Sequence, residues 1–126
     1  MKVNIALLTV TDTRTIDNDK SGAILVDKIK GANHNLIDRK ICKDNKDEIV
    51  LILKEWLKNE KIDAIITTGG TGLTGRDITP EALDEIADKH IPGFGEVFRN
   101  ISLKTVGTSA IQSRACAVLA NGKYIF

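Results

Sequence analysis

The sequence contains few cysteines, since Cys42 and Cys116 are the only two among 126 residues. They lie far apart in the chain, form no C-x-x-C pair and have no histidine beside them. A disulfide framework or a cysteine-based metal site is normally built from closely spaced or paired cysteines. We therefore expect two buried thiols and neither kind of site.

Charge of one dominant sign is also lacking, because 18 Lys and Arg residues nearly balance 17 Asp and Glu residues and leave a formal net charge of +1. The lysines are spread along the chain instead of forming a block. Proteins that bind nucleic acid in general carry a basic patch or stripe. The sequence therefore predicts no nucleic-acid partner, and any phosphate that binds should be held at a discrete site.

No apolar run approaches the length of a membrane span, and the N-terminus enters a strand-like segment at residues 3–5 without a signal peptide. We expect a cytoplasmic location and no membrane partner. The 42% hydrophobic content is sufficient for the core of one domain, spanning residues 1–126.

Strand-like and helix-like segments alternate along the chain. Residues 3–10 are apolar on both faces, as in a central strand covered by helices, and Ile49, Leu53 and Trp56 recur at helical spacing. Near the C-terminal end, Asn121-Gly122 separates two short strand-like runs and predicts a hairpin. The fold class that follows is α/β: a three-layer sandwich with a mostly parallel sheet, a C-terminal antiparallel hairpin and helices on both faces.

A glycine-dense segment, residues 69–77, follows the third predicted strand and precedes a helix. Glycine allows positive φ and lets main-chain N–H groups approach an anion closely. Arg76 then provides a cation suited to phosphate, and Asp77 provides a hard oxygen ligand suited to Mg²⁺. Thr79 and Pro80 predict the N-cap and the first position of the helix. We interpret the segment as a phosphate-binding turn.

Two nucleotide-binding motifs are excluded by context. Gly70, Gly72 and Gly75 match G-x-G-x-x-G, but three residues separate the last glycine from the predicted cap and the motif follows the third strand, not the first. A P-loop is excluded because no Gly-Lys-Ser/Thr ends the run. A glycine-rich turn without a ligand remains the alternative.

Polar residues follow the other two strands at the same predicted edge of the sheet. Ser21 and Gly22 open the first helix, either as a second anion site or as ordinary capping. Asp44 precedes the Asn45 cap of the next helix and has no evident structural role. Carboxylates beside phosphates repel them unless a divalent cation lies between, so Asp44 and Asp77 predict Mg²⁺.

The motifs together resemble the molybdenum-cofactor biosynthesis proteins of the MoaB/MogA type, and the tail from residue 95 onward favours the MoaB branch. The resemblance covers essentially the whole chain. It is carried by Thr67-Thr68-Gly69-Gly70-Thr71-Gly72, by Arg76-Asp77-Ile78-Thr79-Pro80-Glu81-Ala82, by Ile91-Pro92-Gly93-Phe94-Gly95-Glu96 with Phe98-Arg99, and by Gly107-Thr108-Ser109 with Gln112-Ser113-Arg114-Ala115. Asp19-Lys20-Ser21-Gly22 and Lys43-Asp44 fall where the family has its other two site motifs.

This resemblance implies transfer of an adenylyl group from Mg-ATP to molybdopterin, giving adenylated molybdopterin and pyrophosphate. It implies that Asp44 and Asp77 are the catalytic acids and hold Mg²⁺. It further implies a substrate- and phosphate-binding set comprising Ser21, Gly22, Thr68, Gly69, Gly70, Thr71, Gly72, Arg76, Ser113 and Arg114.

The resemblance leaves one alternative open and sets two further expectations. Some proteins of the MoaB branch are thought to bind molybdopterin without adenylating it, so the alternative function is a binding module, or an inactive shortened fragment. The family forms trimers or hexamers, so a homo-oligomer is expected. Family members continue beyond the hairpin into a Pro-Gly-rich loop and a last helix, so a shortened member with an exposed apolar sheet face is expected.

Overall fold

The structure is a computed structural model that describes residues 1–126. It has six strands and four helices, with short 3-10 turns at Ile16–Asn18 and Gly107–Gln112. In chain order they are β1 (Asn4–Val10), α1 (Lys20–Gly31), β2 (Asn35–Cys42), α2 (Lys46–Leu57), β3 (Ala64–Thr68), α3 (Thr79–Ile86), β4 (Lys89–His90), α4 (Pro92–Val106), β5 (Val118–Ala120) and β6 (Lys123–Ile125).

The six strands form one sheet in the order β2-β1-β3-β6-β5-β4. β1 pairs in parallel with β2 and β3, and β3 pairs in parallel with β6. β5 is antiparallel to both β6 and β4. The predicted fold class is confirmed, and the short edge strand β4 is an addition that the sequence pattern did not indicate.

Register brings the ends of the first three strands to one edge of the sheet. Val10 pairs with Cys42, and Thr9 pairs with Thr68. The loops after β1, β2 and β3 therefore begin side by side, which is where parallel α/β sheets place their ligands.

The predicted hairpin is present at the other end of the sheet. Asn121 and Gly122 both adopt positive φ, 49° and 74°, as a two-residue type I′ turn requires. β6 returns from this turn beside β3 and extends the parallel part of the sheet, while β5 and β4 continue it in antiparallel pairing.

The main hydrophobic core lies between the sheet and helices α2 and α3. Leu8 and Ile65 from the central strands pack with Ile49, Leu53 and Leu83, all essentially inaccessible to solvent. Trp56, which the helical spacing assigns to packing, belongs to the same core, and its Nε1 donates to Asp38 at 3.0 Å. These alternating strand and helix positions are the ones that the apolar periodicity indicates.

The opposite face of the sheet carries α1 beside β1 and β2, while an aromatic cluster lies next to β6. The Phe94 ring is 5.9 Å from Phe98 and 5.1 Å from Phe126, measured between ring centroids, and Tyr124 stacks on Phe126 at 6.2 Å. Tyr124 remains 52% exposed. This part of the sheet therefore presents apolar surface. None of the helices is long and apolar enough to cross a membrane.

A buried carboxylate fixes the start of α1 against the sheet. Asp19, only 2% exposed, accepts hydrogen bonds from the Thr9 hydroxyl at 2.6 Å and the Gly22 N–H at 3.0 Å. Arg39 on β2 approaches it at 3.3 Å. Burial favours the neutral acid, but the hydrogen bonds from Thr9, Gly22 and Arg39 outweigh it and hold the pKa of Asp19 below its ordinary value.

Replacing Asp19 by asparagine is expected to lower the free energy of unfolding at pH 7 by about 2 kcal/mol, because a buried ion pair and its hydrogen bonds are lost. A group with a lowered folded pKa stabilises the fold above its unfolded pKa and loses that effect as pH falls through the folded value. The difference between wild type and variant should therefore shrink below about pH 4.

Urea unfolding at several pH values measures this difference. Asp17→Asn, which removes an exposed carboxylate two residues away, is the matched control and should change stability little at any pH. A pH-independent deficit in the Asp19 variant would contradict the assignment.

Candidate active site

The predicted glycine turn leaves the end of β3 and passes directly over two neighbouring segments. Gly69 and Gly70 have φ values of 99° and 69°. A Cβ on Gly69 would lie 2.1 Å from the Val10 carbonyl oxygen, and one on Gly70 would lie 2.4 Å from the Thr79 hydroxyl. Both positive φ and close approach therefore require glycine at these two positions.

Thr79 supports the turn from below, in a role different from the predicted one. The N-cap of α3 is Ile78, Thr79 begins the helix, and Pro80 is its second residue. The Thr79 hydroxyl donates to the Gly69 carbonyl at 2.8 Å, and its N–H donates to the Gly70 carbonyl at 3.0 Å. The prediction of Thr79 as N-cap is wrong, because its side chain is buried under the turn and bonds to that turn instead of to the helix.

The turn presents main-chain donors that the chain itself does not use. The N–H groups of Gly70 and Thr71 donate to no group of the protein. Unpaired amides in consecutive positions of a glycine turn form a concave anion site. This part of the turn fits the predicted phosphate cradle, with Thr68 at its start and Gly72 at its far side.

Asp77 holds the second half of the same turn together by hydrogen bonds with Thr74. Its carboxylate accepts from the Thr74 hydroxyl at 2.7 Å and the Thr74 N–H at 2.9 Å. A Cβ on Gly72 would lie 2.7 Å from it. Hydrogen bonds from the Thr74 side chain and backbone, together with the Gly72 backbone, hold the pKa of Asp77 below its ordinary value. Asp77 is therefore an ionised acid with a structural role as well.

Asp44 approaches the turn from the loop after β2. Its Oδ1 lies 3.1 Å from the position of a Cβ on Gly70, so the carboxylate lies beside the turn. It forms no salt bridge, and partial burial together with the negative charges of Asp12 and Asp77 raises its pKa. The next residue, Asn45, caps α2 by accepting from the Glu48 N–H at 3.0 Å, as predicted. Asp44 therefore has no direct ion-pair partner, although the positive charge of Arg76 partly offsets its own charge.

Arg76 points toward the first strand, where it meets an acid that the sequence interpretation did not include. Its Nε and Nη2 donate to the two oxygens of Asp12 at 3.0 Å and 2.9 Å. Asp12 follows β1, and its position at the end of a strand is the sequence signal that could have identified it. The three strand-end loops thus place Asp12, Asp44 and Asp77 around one turn.

Arg114 braces the glycine turn from outside. Its Nε donates to the Gly72 carbonyl at 2.7 Å, its Nη2 donates to the Asp77 carbonyl at 2.9 Å, and its Nη1 pairs with Glu81. Its side-chain donors are thus directed at protein oxygens, which favours a supporting role. Ser113 lies beside it, where its carbonyl accepts from Arg99 at 3.1 Å.

The start of α1, which the sequence predicts as a second anion site, already has a protein carboxylate bound to one of its N–H groups. Gly22 is buried, its N–H is already bonded to Asp19, and a Cβ there would lie 2.1 Å from the Asp19 carboxylate. Ser21 is exposed. A phosphate at this helix would compete with the Asp19 cap.

Comparison with known proteins identifies the fold and the family together. A family described as "Probable molybdopterin binding domain" matches residues 6–126. The chain belongs to this family. The predicted resemblance is therefore confirmed.

The chain has relatives and structural neighbours of the MoaB branch. It is 43% identical over 122 residues to Molybdenum cofactor biosynthesis protein B of Escherichia coli K12, covering 97% of this chain and 72% of that protein. It is 46% identical over 127 residues to the protein of that name from Staphylococcus aureus MRSA252, covering 98% and 75%.

Two solved structures of the branch match over nearly the whole chain. A crystal structure of Molybdenum cofactor biosynthesis protein B has a TM-score of 0.95 at 41% identity, covering all of this chain and 79% of that one. The tungsten cofactor synthesizing protein MoaB from Pyrococcus furiosus has a TM-score of 0.86 at 34% identity, covering 99% and 80%.

The protein also has an apolar cavity of about 240 Å³ beside the glycine turn. Its floor includes Thr67, Thr68 and Gly69, and its outer wall includes Phe94, Phe98 and Phe126. A cavity that joins aromatic surface to an anion-binding turn suits a flat ring carrying a phosphate.

The carboxylates near the turn could bind Mg²⁺ only if substrate phosphates supplied further ligands. No group of three or more His, Cys, Asp or Glu side chains is arranged to hold a metal by itself. Mg²⁺ commonly binds one or two carboxylates plus substrate phosphates and water. The unpaired oxygens of Asp44 and the neighbouring Asp77 fit that pattern.

The two cysteines are poor candidates for a nucleophile, although Cys116 lies in the wall of the apolar cavity. Both are half-buried and free, and burial raises the pKa of Cys42 to about 11 and also raises that of Cys116. Thiols that stay protonated at neutral pH are poor nucleophiles.

Proposed function

We propose that this protein transfers an adenylyl group from Mg-ATP to the terminal phosphate of molybdopterin, releasing pyrophosphate. The observation that carries the proposal is that the Asp44 carboxylate lies beside a glycine turn whose Gly70 and Thr71 N–H groups donate to no protein group. Donors for phosphate and a ligand for a divalent cation then lie close together at one edge of the sheet. The relatives are named Molybdenum cofactor biosynthesis protein B, which supports a role in that biosynthesis but names no reaction.

In the proposed reaction, a phosphate oxygen of molybdopterin forms a bond to the α-phosphorus of ATP. The bond from that phosphorus to the bridging oxygen of the β-phosphate breaks, and its electron pair leaves with pyrophosphate. The attacking phosphate is already an anion at neutral pH, so no protein nucleophile or strong base is needed. Such reactions depend mainly on positioning and on stabilisation of negative charge.

The residues of the turn would carry out these two tasks. The Gly70 and Thr71 amides would donate to phosphate oxygens, and Arg76 would offset their negative charge. Asp44 and Asp77 would hold Mg²⁺, which would screen the phosphates from the acids and from each other. Thr68, Gly69 and Gly72 shape the turn, and Arg114 keeps it in place.

The remaining predicted residues would act around this centre. The pterin ring would occupy the apolar cavity beside Phe94 and Phe98, with its phosphate directed toward the turn. Ser21 and Gly22 border the loops after β1, and Ser113 borders Arg114, so these three would contact substrate only at its periphery.

Release of pyrophosphate from Mg-ATP in the presence of molybdopterin tests the proposal. We expect release to require both molybdopterin and Mg²⁺, to produce adenylated molybdopterin in equal amount, and to be lost in Asp77→Asn. Asp17→Asn serves as a control of equal charge change outside the site. Tight molybdopterin binding without pyrophosphate release would favour the alternative, a binding module.

We also propose that the protein forms homo-oligomers, trimers or hexamers. Of the 15 residues of α4 only Gly95 is buried, and Val97, Ile101 and Val106 are each more than half exposed. An apolar helix surface of this kind is typical of subunit contacts. Sedimentation equilibrium measures the assembly directly, and a monomer at micromolar concentration would contradict the proposal.

A further inference from the structure

We propose that Asp12 is a positioning residue that holds the Arg76 guanidinium in place to receive phosphate. The inference rests on the proposed function and deepens it, because it assigns the residue that orients the cation of the same site. Asp12 itself would touch neither ATP nor molybdopterin.

The geometry around Asp12 points to this role. Its two oxygens receive Arg76 Nε at 3.0 Å and Nη2 at 2.9 Å in a parallel, two-bond arrangement. The oxygen that receives Nη2 also accepts the Asp44 main-chain N–H at 3.1 Å. One carboxylate therefore connects the loops that follow β1, β2 and β3.

Arg76 needs such a partner because little else restrains it. Its side chain is 67% exposed, and its hydrogen bonds to protein groups all go to Asp12. A long exposed side chain without a partner samples many rotamers, and ordering it opposes ligand binding. The two-bond arrangement uses Nε and one N–H of Nη2, so Nη1 and the second N–H of Nη2 remain for phosphate oxygens.

Stabilisation of the fold is a weaker explanation for the pair. Exposed ion pairs contribute little to folding stability, because water screens them and two side chains must be ordered. Arg76 is two-thirds exposed, so breaking this pair is expected to leave the thermal unfolding temperature nearly unchanged.

The main competing explanation treats Asp12 only as a negative charge near an anion site. In that case Asp12 would repel phosphate, and its removal would strengthen phosphate binding. If Asp12 positions Arg76, its removal would weaken phosphate binding even though the site becomes less negative. The two explanations predict opposite signs.

Calorimetric titration of the full chain with tripolyphosphate and Mg²⁺ distinguishes them. We expect Arg76→Gln to weaken binding about tenfold and Asp12→Asn to weaken it about three- to tenfold. In the Arg76→Gln background, Asp12→Asn should cause no further weakening, because there is no guanidinium left to position. Asp17→Asn, in the same loop, should not weaken binding in either background.

Three outcomes would overturn the inference. They are stronger binding in Asp12→Asn, equal weakening with and without Arg76, and no binding of tripolyphosphate by the wild type. Asp12→Glu supplies a second test should Asp12→Asn fail to fold. The longer side chain keeps the charge but displaces the carboxylate, so it should also weaken binding, and only when Arg76 is present.

Tripolyphosphate binding involves no transfer step, so the inference and the proposed function can fail separately. The wild type could bind tripolyphosphate in this pattern and yet release no pyrophosphate from ATP. That result would rule out the proposed adenylyl transfer but would still support the role of Asp12. In an active enzyme, Asp12→Asn should raise the KM for ATP by a larger factor than it lowers kcat. A purely structural loss would lower the amount of folded enzyme and leave that KM unchanged.

Discussion

Asp44→Asn is expected to reduce adenylyl transfer about a hundredfold or more while leaving the free energy of unfolding unchanged or slightly higher. The Asp44 carboxylate forms no salt bridge, and partial burial, followed by repulsion from Asp12 and Asp77, raises its pKa. Because its folded pKa is raised, the ionised form opposes folding, and that opposition disappears when the side chain cannot ionise. Loss of activity without loss of stability is typical of a residue kept for function.

Initial rates of pyrophosphate release and urea unfolding at pH 7 together measure this result. Asp47→Asn, a nearby exposed carboxylate on α2, is the matched control and should retain activity. Asp77→Asn provides a contrast, because Asp77 holds the turn through Thr74, so that variant should lose both activity and stability. An active Asp44→Asn enzyme would rule out a catalytic role for this acid.

Gly69→Ala is expected to destabilise the protein by about 3 kcal/mol or more. The φ of 99° at Gly69 is unfavourable for any residue with a side chain, and the new methyl group would lie 2.1 Å from the Val10 carbonyl oxygen. Since both groups are main chain, neither moves without separating β1 from the turn. Activity should fall with stability, because the Gly70 and Thr71 amides would move as well.

Chemical unfolding of Gly69→Ala and Gly75→Ala forms a matched pair. A Cβ on Gly75 meets no atom within 4 Å, and its φ is not positive, so alanine there should be neutral or slightly stabilising. If the two substitutions changed the free energy of unfolding equally, close packing against β1 could not be the reason that position 69 needs glycine.

The sheet and its helices follow from local patterns in the sequence. Apolar runs, helical spacing and the Asn121-Gly122 turn each determine structure over a few residues, so they were sufficient to predict the order of elements and the edge where loops converge. The two-residue strand β4 carries no such pattern, because its pairing with β5 depends on where α3 and α4 place it.

The site was predicted less completely, because side-chain partners are set by distant parts of the chain. The position of Asp44 near the turn follows from strand order. The pairing of Asp12 with Arg76 spans 64 residues, and the bonds from Arg114 to the turn span 37 and 42, so no local spacing indicates them. Thr79 was mispredicted for the same reason. Its local sequence pattern indicates an N-cap, but its buried hydroxyl donates to the Gly69 carbonyl, which lies ten residues away.

The central claim is that the glycine turn binds the phosphates of a magnesium nucleotide at the Gly70 and Thr71 amides. Amide chemical shifts of ¹⁵N-labelled protein, followed by NMR during titration with Mg²⁺ and a non-hydrolysable ATP analogue, test it most directly. We predict that the Gly70 and Thr71 signals shift most, with smaller shifts in the loops that carry Asp12 and Asp44. Unchanged Gly70 and Thr71 signals in a sample that binds the nucleotide elsewhere would contradict the account.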